Sequence, residues 1–109
     1  ELMTKELVDL GLITMEEVAN ENPAWPAYKK YFMHGTSHFI GLDVHDVGHW
    51  HKPIEAGHVF TVEPGIYIRE ENLGIRLEND ILITEDGFID LMGHIPVEAD
   101  EIEAMMAGS

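Results

Sequence analysis

The sequence predicts an α+β fold, in which an antiparallel meander of short strands is packed by helices at both ends. Apolar residues recur at helical spacing near the two ends of the chain. Between them, runs of β-branched and aromatic residues are separated by glycine, asparagine and acidic turn residues, which is typical of short strands. This order of elements favours the α+β class, and 109 residues suffice for a single core.

The first third of the chain predicts short helices. Residues 3–10 carry apolar side chains at helical spacing, and Gly11 is placed to end that helix. Thr14, followed three residues later by Glu17, has the spacing of a capping box and predicts the start of a second helix. Residues 27–32 could add one more helical turn.

The remainder of the chain predicts strands and a final helix. The expected strands are residues 37–42, 59–68, 75–84 and 88–91, and the final helix carries an apolar stripe of Ile102, Met105 and Met106. A proline–glycine pair interrupts the second strand with a bulge or sharp bend. We expect strands 59–68 and 75–84 to pair as one antiparallel hairpin, with Glu63 and Glu78 on the same face.

The composition excludes several classes of protein. Apolar residues make up 45% and charged residues 25%, as in ordinary globular proteins and unlike disordered chains. The absence of cysteine excludes disulfide bonds and thiolate metal sites, and it fits a cytoplasmic location. No apolar run reaches the roughly 20 residues of a membrane span. The net charge of −15 makes nucleic acids and anionic membranes poor partners, whereas it would attract cations.

The histidines are concentrated in one short segment. His34, His38 and His45 are spaced by four and seven residues. They lie on a predicted strand and the loops at its ends, so they can converge on one cleft. Neutral imidazole is a good ligand for divalent metals of intermediate hardness. Any one of them alone would be an ordinary, partly buried histidine, but their number in this segment favours a site.

Two carboxylates lie in the strand region. Glu63 precedes a proline, which restricts its backbone to extended conformations. Its neighbours are apolar, so the carboxylate needs a cation, a hydrogen-bond donor or a proton, unless it lies at an edge and reaches water. Alternation along residues 75–81 would place Arg76, Glu78 and Asp80 on one face, which is also typical of a half-solvated strand. If that face meets Glu63, these oxygen ligands and an imidazole would suit manganese, iron, cobalt or zinc.

Three ordered motifs resemble the C-terminal half of the Xaa-Pro aminopeptidases, the proline-specific branch of the pita-bread metallopeptidases, which also includes prolidase. They are His34-Gly-Thr-Ser-His38-Phe-Ile-Gly-Leu-Asp-Val-His45-Asp-Val-Gly, Thr61-Val-Glu63-Pro-Gly-Ile-Tyr67 and Gly74-Ile-Arg76-Leu-Glu78-Asn-Asp80. The resemblance implies a pita-bread fold, of which residues 1–109 would be the C-terminal portion. Because the chain begins inside a helical pattern, we expect that domain to be truncated on its N-terminal side.

The resemblance also implies a dinuclear metal centre with five protein ligands. By motif, His38, Glu63 and Glu78 match three of the five. Both aspartate ligands of the family belong to a strand nearer the N-terminus of its catalytic domain, and no aspartate of this chain lies in that motif. Manganese is the expected metal, with zinc, cobalt and iron as alternatives, and the chain on its own could be metal-free.

Further residues match positions around that centre. His34 and His45 match the substrate-contacting histidines of the family, and Glu63 would act as general base as well as ligand. Tyr67 and Arg76 match a pair that braces the site. The implied activity of the complete enzyme is removal of the N-terminal residue from peptides with proline at the second position. With three of five ligands, the 109 residues alone should be inactive.

Two alternatives remain open from the sequence. One is a prolidase, which acts on Xaa-Pro dipeptides through the same metal motif. The other is a pita-bread module that has lost catalysis and binds peptides or proteins; the retention of three ligand positions counts against it. Because a partial domain would leave an apolar face uncovered, we also expect a homo-oligomer.

Overall fold

The structure is a computed structural model, which describes residues 1–108. Within these residues there are three α-helices and five strands: α1 (Leu2–Asp9), α2 (Met15–Ala19), β1 (Val59–Val62), β2 (Gly65–Ile68), β3 (Leu73–Arg76), β4 (Asn79–Thr84), β5 (Gly87–Asp90) and α3 (Ala99–Ala107). Two short 3-10 helices cover Ala27–Lys30 and Arg69–Glu71. All the strand pairs are antiparallel. The predicted α+β class with antiparallel strands is therefore confirmed.

The chain divides into two compact units. The first unit consists of Glu1–Gly35 and Pro64–Arg76, and the second consists of Thr36–Glu63 and the residues from Leu77 onward. Neither unit is a continuous stretch of sequence, because the chain passes from one to the other three times.

The first unit contains the predicted N-terminal helices. The N–H of Glu17 is donated to the Thr14 hydroxyl, and the N–H of Thr14 is donated to the Glu17 carboxylate at 2.7 Å, so the predicted capping box is confirmed. Gly11, at φ +72°, takes the left-handed conformation that ends α1. The buried core of this unit lies beneath the helices and is formed by Leu7, Ile13 and Tyr31.

A two-stranded ladder completes the first unit. β2 pairs with β3 from Gly65 opposite Arg76 to Ile68 opposite Leu73. Two isoleucines of β2, Ile66 and Ile68, pack against the helical core. The turn between the strands ends at Asn72, whose φ of +52° is a left-handed conformation that asparagine tolerates better than most residues.

The second unit contains a three-stranded sheet in the order β1–β4–β5. β1 pairs with β4 from Val59 opposite Leu82 to Val62 opposite Asn79, and β4 pairs with β5 through a tight turn. Phe60 is buried, and its ring lies 4.5 Å from the ring of Phe39. This aromatic contact holds the segment before β1 against the sheet.

The predicted antiparallel pairing of residues 59–68 with residues 75–84 is confirmed, and it is interrupted near the proline–glycine pair, so that it forms two ladders. One ladder ends where Val62 meets Asn79, and the other begins where Gly65 meets Arg76. The two residues between them on each side are outside the strands. Proline at position 64 has no N–H to donate to a ladder, which is a physical reason for the interruption.

The predicted strand at residues 37–42 is wrong, because the structure has no regular strand there. Within the described chain this segment forms a single ladder bridge, between Phe39 and Phe60. Thr61 donates its N–H to the His38 carbonyl at 3.0 Å, but the N–H of His38 is donated to the Thr61 hydroxyl, also at 3.0 Å. A side chain thus takes the place of the backbone acceptor that a regular antiparallel pair would use.

The last helix, α3, forms as predicted, but its apolar stripe is exposed. Met105 and Met106 are 64% and 74% exposed, and Ile102 is 39% exposed. No helix among residues 1–108 combines the length and the apolar character needed to cross a membrane.

Candidate metal centre

Three predicted metal ligands lie where regular pairing in the second unit stops. Glu63 directly follows β1, and Glu78 directly precedes β4. Val62 and Asn79 form the last pair of this ladder. Glu63 and Glu78 are their neighbours in sequence just outside it, so both lie at the same end of the ladder. The third residue, His38, is brought beside β1 by its backbone contacts with Thr61.

The donor atoms of these three side chains are close enough to share one metal ion. One imidazole nitrogen of His38 and one carboxylate oxygen each of Glu63 and Glu78 lie within 4.8 Å of one another. His38 Nε2 is 3.1 Å from Glu63 Oε1, and both side chains are mostly buried, at 19% and 14% exposure. Glu78 is exposed. The predicted convergence of the three residues is present, whereas their role as ligands remains a prediction.

The hydrogen bonds of His38 define which nitrogen faces Glu63. Nδ1 lies 2.8 Å from the carbonyl oxygen of Phe39, and because a carbonyl only accepts, Nδ1 carries a hydrogen. A neutral ring therefore directs the lone pair of Nε2 at the Glu63 carboxylate. Since Nε2 lies 3.1 Å from Glu63 Oε1, the two atoms are close enough to bind the same ion. A divalent metal ion satisfies both groups, and the backbone bond to Nδ1 is the orienting contact common to metal-binding histidines.

His45 lies beside this group in the same unit. Its ring centroid is 4.4 Å from that of His38, although His45 itself is exposed. An exposed imidazole next to the candidate ligands can contact a bound molecule, as the motif predicts.

The other predicted site residues belong to the first unit. His34 Nδ1 donates to the Gly35 carbonyl at 2.7 Å, so His34 Nε2 accepts the hydrogen of the Tyr67 hydroxyl at 2.9 Å. The Tyr67 ring covers Gly65 and Gly74, where a Cβ atom would collide with it. The two glycines thus make room for the ring whose hydroxyl holds His34.

Arg76 is the last residue of β3, opposite Gly65, and its side chain is exposed. The predicted site residues therefore form two groups. One lies in the second unit and contains His38, His45, Glu63 and Glu78; the other lies in the first unit and contains His34, Tyr67 and Arg76.

In the histidine segment, the carboxylate of Asp46 bonds to the backbone of its own loop. The carboxylate of Asp46 accepts the N–H of Val47 at 2.7 Å and the N–H of Asp43 at 3.4 Å. These bonds, the one from Val47 above all, lower the pKa of Asp46. A carboxylate that closes its own loop in this way is not part of the group formed by His38, Glu63 and Glu78.

Thr61 is the residue at this site that the sequence analysis missed. It is fully buried, its hydroxyl accepts the N–H of His38, and it donates to Glu63 Oε1 at 3.2 Å. The available signal was its position two residues before Glu63, because alternate side chains of an extended segment lie on the same face. A threonine in a strand is so ordinary that its spacing alone did not single it out.

A group of imidazole and carboxylate donors on an α+β scaffold defines a candidate metal-binding protein. The chain belongs to the metallopeptidase family M24, whose family model matches residues 6–85. It is 39% identical to the Xaa-Pro aminopeptidase of Escherichia coli K12 over 99% of this chain, and 37% identical to human Xaa-Pro aminopeptidase 3 over 94% of it.

Solved structures agree with these relatives. The zinc-substituted aminopeptidase P of E. coli, in complex with product, matches 97% of this chain with a TM-score of 0.80 and 40% identity. The same E. coli enzyme with the inhibitor Pro-Leu gives a TM-score of 0.78 at 40% identity, again over 97% of this chain. The fold is thus that of part of the aminopeptidase P pita-bread domain.

The chain spans about a quarter of the length of these proteins. It covers 27% of the E. coli relative, 22% of the human one and 26% of each E. coli structure.

Proposed function

We propose that this chain is the C-terminal portion of the catalytic domain of an Xaa-Pro aminopeptidase and supplies three of the five ligands of a two-metal centre. The observation that carries the proposal is the convergence of His38, Glu63 and Glu78 to within 4.8 Å. Each of the three comes from a different motif of the family, and the spacing of their donor atoms fits one divalent ion. The relatives' names support the choice of activity.

The donor set fits the metals that the family motif implies. Two carboxylates and one neutral imidazole suit manganese, with zinc, cobalt or iron as alternatives. When bound, such ions polarise the scissile carbonyl and make water acidic enough to attack near neutral pH. His38, Glu63 and Glu78 would hold them together with two carboxylates from elsewhere in the catalytic domain.

Individual residues of this chain would have separate roles in catalysis and substrate binding. Glu63, mostly buried and held by Thr61, acts as the general base that accepts a proton from the attacking water. His45 stabilises the charge that develops on the substrate carbonyl oxygen, or gives a proton to the departing proline nitrogen. His34, oriented by Tyr67, contacts the substrate near proline. Arg76 completes the bracing pair with Tyr67.

The proposed substrate is a peptide with proline at its second position, cleaved in the cytoplasm. A prolidase would instead act on Xaa-Pro dipeptides, and a non-catalytic module would bind peptides without cleaving them. One cleavage assay distinguishes the three functions, because they differ in which peptide, if any, is cleaved.

The test is a chimera in which this chain replaces the corresponding segment of the E. coli Xaa-Pro aminopeptidase, to which it is 39% identical. With manganese present, we expect release of the first residue from an Xaa-Pro-Xaa tripeptide and no cleavage of an Xaa-Ala-Xaa tripeptide. Glu63→Gln should lower kcat by about 10²- to 10⁴-fold, while Glu71→Gln, an exposed glutamate of the first unit, serves as the matched control.

Each contrary outcome has a defined meaning. Preferential cleavage of the Xaa-Pro dipeptide would assign prolidase activity. A chimera that has the circular dichroism spectrum of the parent, binds the tripeptide and does not cleave it would indicate the binding module. Full activity of Glu63→Gln would remove the proposed base. The 109-residue chain alone should show no turnover, and turnover by it would refute the need for five ligands.

A further inference from the structure

The fully buried hydroxyl of Thr61 lies between two of the proposed metal ligands. Its Oγ1 atom accepts the backbone N–H of His38 at 3.0 Å and donates to Glu63 Oε1 at 3.2 Å. A hydroxyl has one hydrogen to donate and lone pairs to accept with. Because an N–H can only donate, the bond from His38 uses a lone pair and leaves the single hydrogen of Thr61 for the carboxylate. The direction of both bonds is thereby fixed.

The local backbone explains why a hydroxyl is needed there. Thr61 donates its own N–H to the His38 carbonyl, which is one half of the exchange expected for a hydrogen-bonded antiparallel pair. In the other half the threonine hydroxyl replaces the Thr61 carbonyl. The segment carrying His38 is thus attached to β1 through a side chain that also contacts Glu63.

A second acceptor lies across the sheet from this hydroxyl. Asp80 is the β4 partner of Thr61. Because the N–H of Thr61 points toward His38, the pair with Asp80 is of the non-hydrogen-bonded type, in which side chains are closest, with Cα atoms about 4.5 Å apart. One carboxylate oxygen of Asp80 is buried without a hydrogen-bond partner. The Thr61 hydrogen is donated to Glu63, although one carboxylate oxygen of the neighbouring Asp80 has no hydrogen-bond partner.

We propose that Thr61 is a positioning residue of the metal centre, which fixes the rotation of the Glu63 carboxylate and the backbone of His38 through one hydroxyl. The inference rests on the proposed metal site and adds a residue to it. Glu63 Oε1, the oxygen that receives the Thr61 hydrogen, is also the oxygen 3.1 Å from His38 Nε2. Hydrogen bonds to ligating carboxylates and imidazoles of this kind change metal affinity by roughly 10- to 100-fold when they are removed.

The experiment compares two substitutions that remove different parts of the side chain. Thr61→Val keeps the shape and removes the hydroxyl, whereas Thr61→Ser keeps the hydroxyl and removes the methyl group. Mn²⁺ is titrated into the chimera described above, which holds all five proposed ligands, and free Mn²⁺ is followed by its electron paramagnetic resonance signal. Thr84→Val, at the end of β4 in the same unit, is the matched control for replacing a threonine in this sheet.

We expect Thr61→Val to weaken Mn²⁺ binding by roughly 10- to 100-fold, and Thr61→Ser and Thr84→Val to bind like the unsubstituted chimera. In a Glu63→Ala background, Thr61→Val should have a smaller further effect, because no carboxylate remains for the Thr61 hydroxyl to position. Equal affinity of Thr61→Val and the unsubstituted chimera would overturn the inference. So would equal weakening by Thr61→Ser and Thr61→Val, which would assign the effect to packing of the methyl group.

A measurement on the unsubstituted chain does not depend on the folding of any variant. A buried hydroxyl bonded to a carboxylate exchanges slowly with water, so its proton should be visible by NMR, with a cross-peak to the His38 amide. Adding Zn²⁺ should shift this resonance, because the metal withdraws charge from Glu63. A missing or unshifted resonance in a chain that binds Zn²⁺ contradicts the inference. If the resonance is present and the chimera with all five proposed ligands binds neither metal, the proposed metal site is contradicted instead.

Discussion

The two units differ in how they hold their residues in place. The first unit has an apolar core of Leu7, Ile13 and Tyr31, covered by further partly buried apolar side chains. In the second unit the buried residues are Phe60 and Thr61, and many of its large apolar side chains are exposed. The candidate metal ligands lie in the second unit. Their geometry therefore depends more on backbone pairing and polar contacts than on apolar burial.

The distribution of charge follows the same division. The second unit contains a single basic residue, Lys52, and most of the 21 acidic residues of the chain. The first unit contains the other five basic residues. Carboxylates concentrated in this way repel one another, and cations reduce that repulsion. The part of the chain that is poorest in apolar burial is thus also the part that gains most from a bound cation.

The largest predicted effect tests the apolar core of the first unit. Leu7 is fully buried, so Leu7→Ala should lower the free energy of unfolding by about 2–5 kcal/mol. Val47→Ala, at a side chain of the second unit that is 90% exposed, should change it by about 0.5 kcal/mol or less. Urea unfolding followed by circular dichroism measures both. Similar losses for the two variants would show that the difference in burial does not control stability.

The second prediction concerns self-association through the second unit. Leu42 and Val47 are almost completely exposed in one loop, and exposed apolar side chains favour association. We expect the chain to form a homo-oligomer at micromolar concentration, and the pair Leu42→Ser and Val47→Ser to reduce its mass in light scattering. The matched pair in the first unit, Leu2→Ser and Leu10→Ser, should reduce it less. A parent chain that is monomeric at these concentrations would refute the expectation.

The third prediction tests a polar contact of the first unit. Tyr67→Phe removes the hydroxyl that donates to His34, at an expected cost of about 0.5–1.5 kcal/mol in the free energy of unfolding. Tyr28→Phe, in the same unit, removes a hydroxyl from a ring that packs on Phe32 and is the control. If both variants unfold at the same urea concentration as the parent, the bond to His34 contributes nothing to the stability of this unit.

The smallest predicted effect is a change in pH dependence at α2. The N–H and then the hydroxyl of Thr14 lower the pKa of Glu17 below its ordinary value of 4.5. A lowered pKa stabilises the folded chain above the ordinary value, and this contribution is lost as the pH falls through 4.5 toward the folded pKa.

Glu17→Gln removes that contribution, so its free energy of unfolding should fall less steeply than that of the parent as the pH decreases from about 5 to about 3. Glu16→Gln, in the same first turn, controls for the loss of one negative charge. Unfolding by urea at several pH values provides the comparison, and parallel curves for parent and Glu17→Gln would contradict the role of this carboxylate.

Local signals in the sequence predicted the elements that local contacts determine. The capping box of Thr14 and Glu17 was correct because both partners lie within one turn of helix. The end of α1 at Gly11 was correct for the same reason. Neither prediction required knowledge of the rest of the fold.

The sequence predicted which residues meet at the site, but not all of the contacts that hold them in place. The motifs indicated that His38, Glu63 and Glu78 would meet, and their donor atoms do. The hairpin that was expected to bring the two glutamates together is present, and it is interrupted near the proline–glycine pair, where a bulge or bend was predicted. The role of Thr61 could not be predicted, because it depends on a pairing between distant segments that replaces one backbone bond by a side-chain bond.

The discontinuity of the two units has a consequence for the order in which the chain can fold during synthesis. Within these residues, α1 and α2 are synthesised before the strands, yet the apolar cluster around Leu7 is covered in part by Ile66 and Ile68. That cluster cannot be completed until β2 has been made. Contacts over such sequence separations form slowly. We therefore expect the cluster around Leu7 to lack the part of its apolar cover that Ile66 and Ile68 provide until β2 has been translated.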